Sequence, residues 1–121
     1  MKSESQVQSE IRLKASEQGL RLWRNNVGCA KTEHGFIRFG LANETAEMNK
    51  MIKSADLIGI TPYVIKPEDV GKTVGLFTSI EVKREGWKTS GKARDSAQSK
   101  WAKIVRSLGG IAKIISSADD L

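Results

Sequence analysis

A chain of 121 residues with a net charge of +6, 39% of it hydrophobic and 28% charged, is long enough for one core and too short for two, so a single domain over residues 1–121 is expected. No apolar run approaches the roughly 18 residues of a membrane span, and the opening MKSESQVQSE lacks the apolar centre of a signal peptide, which makes a cytoplasmic setting the expectation. A lone Cys29 and a lone His34 exclude an intrachain disulfide and a Cys/His zinc centre, argue against hydrolysis with a histidine base, and read as packing or surface residues.

Ser3 to Gln18 reads as a helix: Ser3 with Gln6 makes a capping box, Val7 and Ile11 stand one turn apart, and Gly19 is the stop. At 100° per residue Glu10 lies beside the Val7, Ile11 and Lys14 stripe, on the inner face. LRLWRNNVG, Leu20 to Gly28, alternates as a strand running into a turn, and GFIRFGL, Gly35 to Leu41, follows after a short polar loop. That spacing predicts that the two pair as an antiparallel hairpin. NETAEMNKMIK, Asn43 to Lys53, is polar with Met48, Met51 and Ile52 at helical spacing, which suits a short helix or ordered loop. ADLIGI, Ala55 to Ile60, reads as a buried strand headed by Asp56.

After the turn-rich TPYVIKPEDVGKT, the segment VGLFTSIEVKR is the clearest strand. Leu76, Thr78, Ile80 and Val82 point one way; Phe77, Ser79, Glu81 and Lys83 point the other. A basic loop, REGWKTSGKAR, leads to a helix at about Asp95 to Leu108 with an apolar stripe of Ala97, Trp101, Ile104, Val105 and Leu108. Asp95 with Gln98 forms its expected cap, Gly109 its stop, and Trp101 is expected in the core. IAKII closes the pattern as a last strand. The order is α/β, a mixed central β-sheet flanked by helices, with strand 76–83, helix 95–108 and strand 111–115 as a right-handed parallel crossover.

Charge and carboxylates suggest the chemistry. From Lys83 to Arg106 eight basic residues stand against Glu85 and Asp95, and a polyanion is the partner such an excess attracts, although a solvated basic face has the same composition. Asp56 heads one strand and Glu81 ends another, so on neighbouring strands the two acids converge. A divalent cation relieves their repulsion, and Mg2+ or Mn2+, with oxygen ligands and retained waters, suits two or three carboxylates plus the Val82 carbonyl. Glu10 can complete that site or hold a second ion, and Lys83 is placed to orient or deprotonate an attacking water or to offset charge on a phosphate. By itself the spacing is unspecific: nine glutamates and thirteen lysines yield about one Glu-x-Lys by chance. A salt bridge at a sheet edge explains Glu81 and Lys83 equally well, and a strand-initiating cap explains Asp56.

The ordered set RLWRNNVG, IRFGL, ADLIGI, VGLFTSIEVKREGWK, AQSKW and GGIAKIISSADDL resembles the virus-type replication-repair nuclease (VRR-Nuc) branch of the PD-(D/E)xK nucleases over nearly the whole chain. The resemblance implies a restriction-endonuclease-like core. It implies that Glu10, Asp56, Glu81 and the Val82 carbonyl hold Mg2+ or Mn2+, that Lys83 is the catalytic lysine, and that Gln98 touches substrate or orients the site. Compact members of this kind look like homodimers that cut branched DNA such as four-way junctions. The chain departs from the family in carrying Lys53, Ser54 and Ala55 before the aspartate, where the family has glycine and serine, and in the longer insert from Asn43 to Lys53.

Arg24, Lys88, Lys92 and Arg94 are the candidate phosphate grips, with solvated loop cations as the plain alternative. Trp87 can stack on an unpaired base or simply pack. A non-catalytic nucleic-acid-binding subunit with the same fold is the competing function, and a small-molecule enzyme lacks any Gly-rich dinucleotide or phosphate loop.

Overall fold

The computed structural model describes residues 1–89 and 91–121; Ser90, in the basic loop, lies outside the described residues. Among the described residues the protein is mixed α/β, with three helices and three two-stranded sheets. Two compact units follow one another along the chain, Met1–Gly59 and Ile60–Leu121. Among the described residues no helix is long and apolar enough to cross a membrane.

The first unit opens on α1 (Glu4–Glu17), started where its capping box requires. The Gln6 N–H donates to the Ser3 hydroxyl at 3.2 Å and the Ser3 N–H donates back to the Gln6 side chain at 2.8 Å. Gly19, at φ +82°, takes the left-handed conformation that ends the helix cheaply. Helix α1 packs on β1 (Arg21–Arg24), and Ala15 is its buried residue.

The hairpin departs from the sequence expectation. β1 pairs with β4 (Leu57–Ile60), and the partner of β3 (Gly35–Phe39) is β2 (Gly28–Thr32), a strand lying in what reads as a polar loop. The two-residue turn Glu33–His34 sets the antiparallel register of Thr32 opposite Gly35 through Gly28 opposite Phe39.

Two asparagines explain this pairing. Asn43, before α2 (Ala46–Met51), is buried and its amide donates to the Gly28 and Phe39 carbonyls, each at 2.8 Å, while its Oδ1 accepts from Arg38 at 2.7 Å. One side chain thus satisfies both strands at the open end of the hairpin, where unpaired carbonyls would each cost about 1–3 kcal/mol. Asn25 does the same for the other sheet: its N–H donates to the Asp56 carbonyl, and its Nδ2 to Ser54 Oγ at 2.8 Å and to the Ala55 carbonyl at 2.9 Å.

The second unit is built on β5 (Thr78–Val82), α3 (Ala93–Ser107) and β6 (Ile111–Ile115). β5 and β6 pair in parallel, Glu81 opposite Ile114, as the βαβ reading requires. Val105 is fully buried at the centre of this layer with Ala102 and Ala112. Helix α3 starts two residues before the sequence expectation. Its N-cap is Lys92, without a side-chain capping bond, so the Asp95–Gln98 cap does not form.

Between β4 and β5 the chain turns through a 3-10 turn, Pro67–Asp69, organised by one carboxylate. Asp69 accepts from the Lys66 N–H at 3.0 Å, the Tyr63 hydroxyl at 2.7 Å and the Lys72 amine at 3.1 Å. The backbone donor first, then the phenol and the ammonium, holds this carboxyl below the ordinary aspartate range. Donation to Asp69 first, then burial, raises the Tyr63 phenol above its ordinary value. Asp69 therefore stabilises the turn above the ordinary aspartate value, a contribution lost as pH falls through the lowered one. Tyr63 contributes below the ordinary phenol value and loses that as pH rises through the raised one. Tyr63 is the one tyrosine in the sequence, so its ultraviolet titration reads this contact alone. The midpoint is expected above the free-phenol value in the wild type and moved down in Asp69→Ala; identical midpoints in both proteins would rule the contact out.

Candidate functional site

The period-two alternation of β5 places Ser79, Glu81 and Lys83 on the face that α3 covers. The ladder runs one bond past the strand, the Lys83 N–H donating to the Ile115 carbonyl at 2.8 Å, so Lys83 is fixed by the sheet rather than left to the loop. Asp95 and Gln98 stand three residues apart on α3, one face of the helix, and both reach the β5 polar side chains.

Gln98 bridges the acid and the amine. Its Oε1 accepts from Lys83 Nζ at 2.7 Å and its Nε2 donates to Glu81 Oε1 at 2.7 Å. An ammonium offers only donors and a carboxylate only acceptors, so a primary amide with one end of each kind joins them, and its orientation follows from its neighbours. Lys83 also lies 3.8 Å from Glu81 Oε1 and 3.7 Å from Asp95 Oδ1. The Trp87 ring covers it, with the amine 5.2 Å from the ring centroid. The Lys83 side chain is 12% exposed and that of Glu81 40%, so the carboxylate faces solvent while the amine is enclosed.

Asp95 is a member that sequence reasoning missed. Read as a helix cap, it lies instead in the first turn of α3, where the helix dipole favours an acid, and is turned toward Lys83. The signal was present in the three-residue step from Asp95 to Gln98, which marks a shared face as well as a capping box. Trp101 corrects a second expectation. It is 36% exposed rather than in the core, its indole N–H donating to Ser79 Oγ at 2.8 Å.

The remaining candidates are placed as follows. Val82 is exposed on the opposite face of β5. Lys88, Lys92 and Arg94 are exposed in the loop and first turn before and within α3. In the first unit, Glu10 lines a groove with Ile11 and Lys14 of α1 and Leu20 and Leu22 beyond it, its carboxylate 3.0 Å from the Lys2 amine. Asp56 is exposed at the head of β4, its backbone carbonyl held by Asn25, and Arg24 is exposed at the end of β1.

The acids singled out for a metal offer oxygen only, the donor type that Mg2+ and Mn2+ take, and Glu81 keeps part of its carboxylate open to solvent. Within either unit, among the described residues, no three His, Cys, Asp or Glu side chains gather to hold an ion. The fit is thus one of donor chemistry. In the second unit Glu81 and the Val82 carbonyl are the groups that would hold the ion.

No family model matches the chain, no curated protein matches it, and no solved structure matches it.

Proposed function

We propose that the protein is a Mg2+- or Mn2+-dependent DNA endonuclease of the VRR-Nuc kind, with a restriction-endonuclease-like core, acting on branched DNA as a homodimer. The observation that carries this reading is the Gln98 bridge: a carboxylate and an amine two residues apart on a strand end, held in register by an amide from the following helix. Glu81 presents the negative oxygen, Gln98 fixes its rotamer, and Lys83 supplies a positive donor beside it for the attacking water or the phosphate. The resemblance adds Asp56 and Glu10 as further ligands. When bound, a divalent cation there supplies Lewis-acid polarisation of the phosphoryl oxygen and a more acidic water. Lys88, Lys92 and Arg94, all exposed, supply charge for the phosphate backbone, with Arg24 as a further contact.

The loop after β4 supports self-association. Tyr63, Val64, Ile65, Val70, Val74 and Leu76 are all exposed there, and its Lys66 and Lys72 are balanced by Glu68 and Asp69 in a chain of charge +6. The enclosure of Lys83 favours the second reading, a nucleic-acid-binding subunit without catalysis, because an amine under an indole and between two acids is already satisfied. Labelled four-way junction, flap, duplex and single-stranded DNAs separate the two. Cleavage of the branched substrates is expected with Mg2+ or Mn2+ and lost on chelation, with light scattering reporting a dimer. Binding without cleavage in either metal would establish the second reading instead.

A further inference from the structure

Beside the Glu81–Gln98–Lys83 cluster a cleft of about 430 Å³ opens between α3 and the sheet, and it includes Glu81 and Gln98 in its wall. Its size comes from small side chains. Ala97 and Ala102 of α3 face Ala112 and Ile114 of β6 where larger residues would close the helix onto the strands. Along the helix side, Arg94 stands at one end and Trp101 two turns away at the other, four and three residues from Gln98 and thus on its face. The Ser79 hydroxyl pins the Trp101 indole at 2.8 Å, so a part-exposed aromatic ring is held in one orientation at the wall of an apolar slot.

We propose that this cleft seats an unpaired nucleobase of the bound nucleic acid, the one next to the phosphate at the Glu81–Gln98–Lys83 cluster. Three features choose a base over an apolar side chain. An indole ring and a guanidinium plane, Trp101 and Arg94 here, each stack on any base. Glu81 and Gln98 add polar atoms to an otherwise apolar lining, partners for the edge of a base. Arg94 and Lys113 line the cleft against the one acid Glu81, so the phosphates on either side of the base meet two cations there. The inference rests on the nucleic-acid reading above and deepens it. Substrate is selected by the presence of a base free to leave the stack, which is what a branch point or flap supplies and continuous duplex does not.

The test measures binding in metal-free buffer, so that cleavage plays no part. Duplexes of equal length, one continuous and one with a single unpaired 2-aminopurine, are titrated with the wild type, Trp101→Ala and Ala97→Leu. The last fills the slot without deleting a side chain, and circular dichroism checks that both variants fold. The wild type is expected to prefer the unpaired substrate about tenfold or more, with quenching of the probe, and Ala97→Leu to lose preference and quenching together. Equal affinity for both duplexes with no quenching would overturn the cleft proposal and leave nucleic-acid binding standing. Failure to bind either DNA would remove the functional reading and this inference with it. A change in oligomeric state in Ala97→Leu, with DNA preference intact, would give the cleft to a second copy of the chain and overturn the proposal.

Discussion

Cleavage of branched DNA by Lys83→Ala is expected to fall by about 10²- to 10⁴-fold, the range of a positioned acid–base or electrostatic group, with DNA binding in calcium nearly unchanged. The geometry makes the companion variants informative. Glu81→Gln keeps an oxygen for the Gln98 Nε2 donor, so the 2.7 Å bond survives while the negative charge goes. It is expected to lose cleavage as severely as Lys83→Ala while melting near the wild-type temperature. Lys83→Arg retains charge but brings a planar fork into a place shaped by one amide oxygen, two carboxylates and an indole, and is expected to rescue little. Single-turnover cleavage, binding in calcium and thermal melting on the same preparations check all three. Wild-type cleavage with undiminished rates in Glu81→Gln and Lys83→Ala would show that the chemistry lies elsewhere on the chain.

Lys83→Ala carries its own structural cost, because Gln98 Oε1 then loses its donor in a part-buried position, about 1–3 kcal/mol. The melting measurement separates this from catalysis. A loss of rate that scales with loss of folded protein describes a structural bridge. A loss of rate in fully folded protein describes a reacting group.

Local signals were the legible part of this fold. The capping box at Ser3 and Gln6, the stops at Gly19 and Gly109, and the period-two alternation of Glu81 and Lys83 each depend on a few adjacent residues, and each is realised. What stayed hidden depends on distant partners. GCAKT has neither alternation nor a run of β-branched residues, yet it is a strand because Phe36 to Phe39 and the buried Asn43 amide complete its ladder. β1 reads as the hairpin partner of the next apolar run because that run is near in sequence; Asn25 instead binds it to Ser54, Ala55 and Asp56, about thirty residues on. The same contrast runs through the candidate site. The strand supplies Glu81 and Lys83 at a readable spacing. The turn of α3 that brings in Asp95, and the alanines that open a slot before Trp101, become visible only once helix and sheet are packed.

Gly59→Ala is expected to destabilise the protein by about 3 kcal/mol or more, because its added methyl has nowhere to go. A Cβ at Gly59 would overlap the Arg21 carbonyl oxygen and fall 2.9 Å from Leu22 Cα. Both are backbone atoms of the paired strand, so no rotamer change relieves the overlap and β1 must separate from β4. The bond from the Asn25 N–H to the Asp56 carbonyl lies on the same pair of strands and is expected to break with it, which releases the acid at the head of β4. Gly75→Ala is the control: a Cβ there meets nothing within 4 Å. It is expected to be neutral or to stabilise by up to about 1 kcal/mol, through the unfolded chain. Urea midpoints for the two variants, with hydrogen exchange at the Asn25 amide, decide the matter. Accelerated exchange at Asn25 in Gly59→Ala alone locates the damage between β1 and β4, and equal midpoints for the two variants would mean that these strands do not approach each other as closely as Arg21 and Gly59 require.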